Sequence, residues 1–225
     1  MSSIGVRDRL RSVRKRIEGA ARSAGRDPNS ITLVAVSKRK PASDIVAAYG
    51  AGQRDFGENY VQEFAAKASA LPELPGARFH MIGHLQSNKA KPAAGLFSAI
   101  HTVDSVKLVR RLSRFTSAMD IFMEVKLSHE ETKSGMDQRI LAGVLDAAKA
   151  AEGLRIVGLM TMPPWSEDPE HSRPYFRQLR RLAEKHNVSG LSMGMSHDLE
   201  VAIEEGSTHV RVGTAIFGKR EPLQR

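Results

Sequence analysis

A lysine, an arginine and two glycine–hydroxyl pairs mark where this chain could do chemistry. Lys38 follows the apolar, β-branched run Ile31-Thr-Leu-Val-Ala-Val-Ser37, with Arg39 and Lys40 next to it. A lysine that is partly desolvated or close to other cations has a lowered pKa, and its amine attacks aldehydes. A lysine at a strand end is also commonly a solvated surface residue, and the pattern alone does not separate the two. Arg211 stands between Val210 and Val212. Strand alternation puts the valines on one face and Arg211 on the other. If the valines pack under helices, Arg211 points inward, where a guanidinium needs a partner. That partner is either a ligand nitrogen or phosphate, or a carboxylate such as Glu124.

Gly194-Met195-Ser196 leads into a helix, and Gly213-Thr214 follows the last strand. Backbone N–H groups and hydroxyls at a helix start suit an anion. The alternatives are an ordinary N-cap at Ser196 and a packing glycine at Gly213. Other chemistries are poorly supported. His80 and His84 are four apart but straddle Gly83, and no acidic pair completes a metal set. There is no P-loop and no G-x-S-x-G elbow. No metal site is expected.

The elements that must position these residues read as eight strands alternating with helices. The strands are expected at Ile31–Ser37, Asp55–Gly57, Arg78–Gly83, Ala99–Val103, Asp120–Lys126, Leu154–Met160, Gly190–Met193 and His209–Gly213. Helices are expected from Pro41 to Gly50, Asn59 to Ala70, Ser105 to Arg114, Gln138 to Ala151, Glu170 to His186 and Asp198 to Glu205. This alternation predicts an α/β fold with a parallel sheet closed as a single (β/α)8 TIM barrel. An extra N-terminal helix is expected to cover the bottom of the barrel. No Gly/Ser/Pro linker divides the chain, so residues 1–225 read as one domain. Active sites of such barrels lie at the C-terminal strand ends, with phosphate at the loops after strands seven and eight. That context favours an anion site at Ser196, Gly213 and Thr214. It also brings Glu58-Asn59, His84, Asp104, Lys133-Ser134 and Thr161 to the same end.

Composition narrows the class. The 225 residues contain no cysteine, which excludes disulfides, thiol nucleophiles and thiolate metal sites. No apolar run of membrane-spanning length occurs, nor a signal-peptide core, so a cytoplasmic protein is expected. The formal charge of +9 attracts anions, but the cations are interspersed with acids, as on a solvated surface. Nucleic-acid motifs are absent, and with 5% aromatic residues a base-stacking platform is not expected.

Seven motifs, in order, resemble a known family. They are Val34-Ala-Val-Ser-Lys38, Phe56-Gly-Glu-Asn-Tyr-Val-Gln62, Phe79-His-Met-Ile-Gly-His-Leu-Gln-Ser-Asn-Lys89, Lys133-Ser-Gly135, Gly158-Leu-Met160, Leu191-Ser-Met-Gly-Met-Ser-His-Asp198 and Val210-Arg-Val-Gly-Thr-Ala-Ile-Phe-Gly218. They are similar to the pyridoxal phosphate homeostasis proteins (the YggS/PROSC family). The match runs from about residue 4 to residue 220; the stretch around Pro163-Pro164-Trp165 departs from it. The resemblance implies the barrel of the alanine racemase N-terminal domain, a fold-type III site for pyridoxal 5′-phosphate (PLP). It implies that Lys38 carries PLP covalently as a Schiff base. It further implies that Ser196, Gly213 and Thr214 hold the phosphate and that Arg211 faces the pyridine nitrogen. Asn59 would lie near the ring, and Met160 in the wall.

Two functions fit that resemblance: a non-catalytic holder of PLP that serves recipient enzymes in vitamin B6 homeostasis, or a PLP-dependent amino-acid racemase. Racemisation needs acid–base groups on both faces of the α-carbon. In racemases of this kind the second is a tyrosine from a β-rich domain, which the sequence is not expected to contain. Tyr49, Tyr60 and Tyr175 offer no evident substitute. An arginine opposite the pyridine nitrogen also disfavours its protonation and weakens the ring as an electron sink. The expectation is a monomeric, non-catalytic PLP-binding protein.

Overall fold

The computed structural model describes residues 5–128 and 134–218. Its strands are β1 (Thr32–Val36), β2 (Asp55–Glu58), β3 (Arg78–Met81), β4 (Ala99–Val103), β5 (Met119–Lys126), β6 (Met136–Asp137), β7 (Leu154–Met160), β8 (Gly190–Ser192) and β9 (His209–Val212). All pair in parallel, in the order β4-β3-β2-β1-β9-β8-β7-β5, and β4 pairs with β5 to close the ring. The two-residue β6 sits outside the ring, on the end of β5. The expected eight-stranded barrel is therefore present. Strands buried on both faces are expected to be near-continuously apolar, as in Leu33–Val36 and Ile121–Met123.

Alternation along each strand sorts side chains between the helix layer and the interior. On β1, Leu33 and Ala35 join the outer apolar cluster, and on β9 Val210 and Val212 do the same. On β5, Ile121, Met123 and Val125 pack outward. Asp120, Phe122 and Glu124 are left facing inward. At the N-terminal end of the barrel, Asp120 is held by Arg78 at 2.9 Å and by Arg155 at 2.6 and 2.8 Å.

The helices are α1 (Val6–Ser23), α2 (Ala42–Gly50), α3 (Val61–Ala68), α4 (Ala90–Leu96), α5 (Val106–Leu112), α6 (Leu141–Lys149), α7 (Arg173–Lys185), α8 (Leu199–Glu204) and α9 (Thr214–Phe217). Each buries one stripe, as α7 does with Phe176, Leu179 and Ala183. Among the described residues no helix is long and apolar enough to cross a membrane.

Three differences from the sequence expectation have physical causes. Helix α4 lies outside the expected elements; Pro92 and Gly95, both poor helix formers, fall within its seven residues. Short 3₁₀ turns, Gln138–Ile140 and Pro169–Ser172, replace the first turns expected of α6 and α7. The N-terminal helix does not cover the bottom of the barrel. Leu10, Val13, Ile17 and Ala21 of α1 pack beside it, in one cluster with Ile45 of α2, Leu199 and Ile203 of α8, and Ile216 and Phe217 of α9. The helix after β9 has only four residues and cannot shield that flank. The apolar stripe of α1 fills the gap.

Candidate cofactor-binding site

Lys38 lies two residues beyond β1, in a turn closed by the Lys40 N–H donating to the Ser37 carbonyl at 3.1 Å. Both flanks of the turn are held. The Ser37 hydroxyl donates to Glu58 Oε1 at 2.8 Å, and the Ser37 carbonyl accepts from Lys67 Nζ at 2.9 Å. Lys67 Nζ also lies 2.7 Å from Glu58 Oε1 and 3.2 Å from Glu63 Oε1. Beyond Lys38, the Arg39 N–H donates to Glu63 Oε1 at 2.6 Å. Arg39 has φ 59°, the left-handed region, which costs on the order of 1 kcal/mol without glycine. The Glu63 contact offsets that cost. Ser37 faces the helix layer, so the alternation continues Val34 and Val36 inward and places the half-buried Lys38 on the interior side. Burial pushes the Glu58 carboxyl up, and the hydrogen bonds from Lys67 and Ser37 only partly offset this.

Asn59 follows β2, and its Oδ1 is buried without a hydrogen-bond partner. The loop after β3 presses on it: a Cβ at Gly83 would come within 2.3 Å of the Asn59 carbonyl oxygen. Only glycine fits there. Met160 ends β7, fully buried, paired with Glu124 on one side and Ser192 on the other.

Arg211 points inward from β9, as the alternation requires. Its Nη1 donates to Ser192 Oγ at 2.7 Å and its Nη2 to the Thr161 carbonyl at 3.0 Å. Burial draws its pKa down to about 10, which still leaves a cation at neutral pH. No ion pair joins it to Glu124. Glu124 is buried on β5, and its Oε2 has no hydrogen-bond partner. Burial, then repulsion from Asp104, raises the Glu124 carboxyl to about 7, against a lowering pull from Arg211.

The loops after β8 and β9 meet at Ser196. Gly194 has φ +92°, and a Cβ there would lie 2.5 Å from Ala202 Cβ. Asp198, not Ser196, is the N-cap residue of α8; its Oδ1 accepts from the Met195 N–H at 2.7 Å, and its Oδ2 from the Ser172 hydroxyl at 2.8 Å. Ser196 Oγ accepts from the Ala215 N–H at 3.4 Å. From α1, Arg16 Nη2 donates to the Ser196 carbonyl at 3.0 Å, while Glu200 grips the same guanidinium at 2.6 and 2.8 Å. Thr214 begins α9 and is exposed, so its N–H has no intrahelical acceptor. Gly213 lies against β1: a Cβ there would meet the Val36 carbonyl at 3.3 Å.

Lys38, Asn59, Met160, Ser196, Arg211, Gly213 and Thr214 thus all lie at or beyond the C-terminal ends of five strands that are consecutive around the ring, β7-β8-β9-β1-β2, with Arg211 reaching inward from within β9. His84 and Ser134 are exposed, and His84 Nδ1 faces Asp104 Oδ2 at 3.7 Å. Lys133 lies outside the described residues. No metal-binding cluster occurs among the described residues. A cleft of about 780 Å³ opens at the other end of the barrel, but its Arg14 is spent on Ala51 and Gln53 and its Arg22 on Glu18. Sequence reasoning missed Ser192 and Lys67. Period-two alternation along β8 is the signal that could have found Ser192; nothing marks Lys67 among the helix cations.

The arc offers an amine, an inward cation, an orphaned amide oxygen and the hydroxyl and N–H groups at Ser196 and Thr214. These fit a flat ligand with a carbonyl carbon, an acceptor nitrogen and a phosphate.

Fold and arc together define the class: the profile of the alanine racemase N-terminal domain matches residues 9–221. Within it, the chain belongs to the family of pyridoxal phosphate homeostasis proteins. The Pseudomonas aeruginosa pyridoxal phosphate homeostasis protein is 42% identical, over 96% of this chain and 96% of its own. The structure of PipY from Synechococcus elongatus PCC7942 with PLP bound superposes with a TM-score of 0.83 at 38% identity, covering 95% of this chain and 100% of PipY. Alanine racemase from Corynebacterium glutamicum, at 17% identity and a TM-score of 0.67, shares the fold; the match covers 94% of this chain and 61% of the racemase.

Proposed function

We propose that this chain is a cytoplasmic, monomeric holder of PLP, acting over residues 1–225 as one domain, that releases the cofactor to recipient enzymes without catalytic turnover. PLP would supply an aldehyde, and Lys38 would hold it covalently through its amine. Ser196, Gly213 and Thr214 would hold the phosphate, Arg211 would meet the ring nitrogen, Asn59 Oδ1 would take up a polar edge, and Met160 would wall the ring.

The observation that carries this reading is Arg211. A buried guanidinium, fixed by Ser192 and Thr161 and joined to no carboxylate, has spare donors at the same end of the barrel as Lys38. The PLP-bound relative PipY supports it. The same residue argues against turnover. A donor opposite the ring nitrogen leaves it unprotonated, and such a ring is a weak electron sink. Two of the three tyrosines lie away from the arc: the Tyr49 hydroxyl donates to the Pro75 carbonyl on the outside, and Tyr175 sits in α7. Tyr60, next to Asn59, is exposed. Among the described residues, exposed large apolar side chains are few, which suits a monomer.

The test is titration of the purified protein with PLP, followed by absorption, then transfer to an apo-enzyme that needs PLP. An imine band that decays as the acceptor gains activity is expected. Absence of the band, or steady formation of D-enantiomer from L-alanine, would overturn the reading.

A further inference from the structure

Five hydrogen-bonded side chains run through the barrel interior, from Arg211 at one end to Asp55 at the other. Arg211 Nη1 donates to Ser192 Oγ at 2.7 Å, and Ser192 Oγ lies 2.7 Å from His101 Nδ1. His101 Nε2 lies 2.9 Å from His80 Nδ1, and His80 Nε2 lies 2.9 Å from Asp55 Oδ1. Ser192 and His101 are fully buried, and His80 nearly so. Barrel interiors are ordinarily filled by branched apolar side chains. A buried polar file is costly unless every member is satisfied.

The two ends of the file fix its direction. A guanidinium only donates, so Ser192 Oγ accepts from Arg211, and His101 Nδ1 is the acceptor left in the file for the Ser192 proton. His101 then carries its proton on Nε2 and donates to His80 Nδ1. His80 carries its proton on Nε2 as well, and donates to the carboxylate of Asp55. That direction gives both imidazoles the same Nε2–H tautomer. A proton on His101 Nδ1 would make Ser192 Oγ accept twice and leave the serine's own proton without an acceptor in the file. Burial first, and then the nearby guanidinium charges of Arg211 and Arg78, hold the His101 pKa well below the ordinary value.

We infer that His101 and His80 are positioning residues for Arg211. They turn the Ser192 hydroxyl so that its lone pair, and not its proton, meets the guanidinium. With the Thr161 carbonyl on Nη2, Arg211 then has one orientation in which to meet the ring nitrogen of PLP. This rests on the PLP reading above, but the tautomers themselves do not need the cofactor.

The experiment has two arms. Long-range ¹H–¹⁵N spectra of the cofactor-free protein should show His80 and His101 as neutral Nε2–H tautomers. An Nδ1–H tautomer or an imidazolium at His101 near neutral pH would overturn the inference. In the loaded protein, Ser192→Ala and His101→Phe should each shift the absorption band and speed PLP release roughly tenfold, the scale of one hydrogen bond to a charged group. Phe122→Leu removes a ring packed 4.3 Å from His101 that takes no part in the file. It should lower stability and leave band and release unchanged. The same shift in Phe122→Leu would reduce the effect to a loosened core, and a wild-type band and release in Ser192→Ala would overturn the inference alone. Failure of the unaltered protein to form the band would overturn the PLP reading and this inference with it.

Discussion

Lys67 Nζ lies 2.9 Å from the carbonyl oxygen of Ser37, the residue immediately before Lys38. A cation on the second barrel helix thus holds the backbone from which the Lys38 amine projects. Through Glu63, the same charge cluster holds the N–H on the other side of Lys38. The amine is mounted on a braced turn, and the brace is buried: the Lys67 side chain is 8% exposed and that of Glu58 0%.

Removal of Lys67 strands the Glu58 carboxylate and the Ser37 carbonyl. Lys67→Met should cost roughly 3 kcal/mol, the scale of breaking a buried ion pair from one side. Urea unfolding measures it. The double variant Lys67→Met/Glu58→Met should recover most of the loss; no recovery would show that the brace acts through packing instead of charge.

The phosphate arc should respond in small, separable steps. Ser196→Ala and Thr214→Ala each remove one hydroxyl donor and should weaken PLP retention by roughly 1–2 kcal/mol. Equilibrium dialysis against PLP reads the change. Pyridoxal, which lacks the phosphate, should bind the variants and the unaltered protein equally. Unchanged PLP retention in both variants would move the phosphate elsewhere.

Glu124 sets a pH dependence. Its carboxyl titrates near 7 in the folded chain, against about 4.5 in the unfolded one. The folded state therefore binds the proton more tightly. Its stabilising contribution is complete below about pH 4.5 and is lost as the pH rises through about 7. The span corresponds to about 3 kcal/mol. His209 works in the opposite sense: burial lowers it to about 4, so stability falls as the pH drops from about 6.5 towards 4. Urea unfolding of Glu124→Gln and the unaltered chain at pH 5, 6, 7 and 8 separates these. The variant should gain relative stability towards pH 8, and a constant difference would place an ionised Glu124 in the folded state throughout.

Much of this was legible in the sequence. The β-branched runs around Val34, Ile121 and Val210 mark strands because both faces are buried. Counting along them places Lys38, Asn59, Ser196 and Gly213 at one end of a barrel. Val210 and Val212 even aim Arg211. What sequence could not supply is pairing across the interior. His80 and His101 are 21 residues apart, Ser192 is 91 beyond His101, and only closure of the ring brings them together. The histidines therefore read as scattered. Helix α1 was misplaced for a similar reason: its apolar stripe says that it packs, and the shortness of α9 says where.

The claim on which the rest depends is that Lys38 carries the cofactor. The loaded protein is reduced with borohydride, digested, and its modified peptide mapped by mass spectrometry. The account predicts one phosphopyridoxyl adduct, on Lys38, and no imine band in Lys38→Ala. An adduct on another lysine, or an undiminished band in Lys38→Ala, would contradict it.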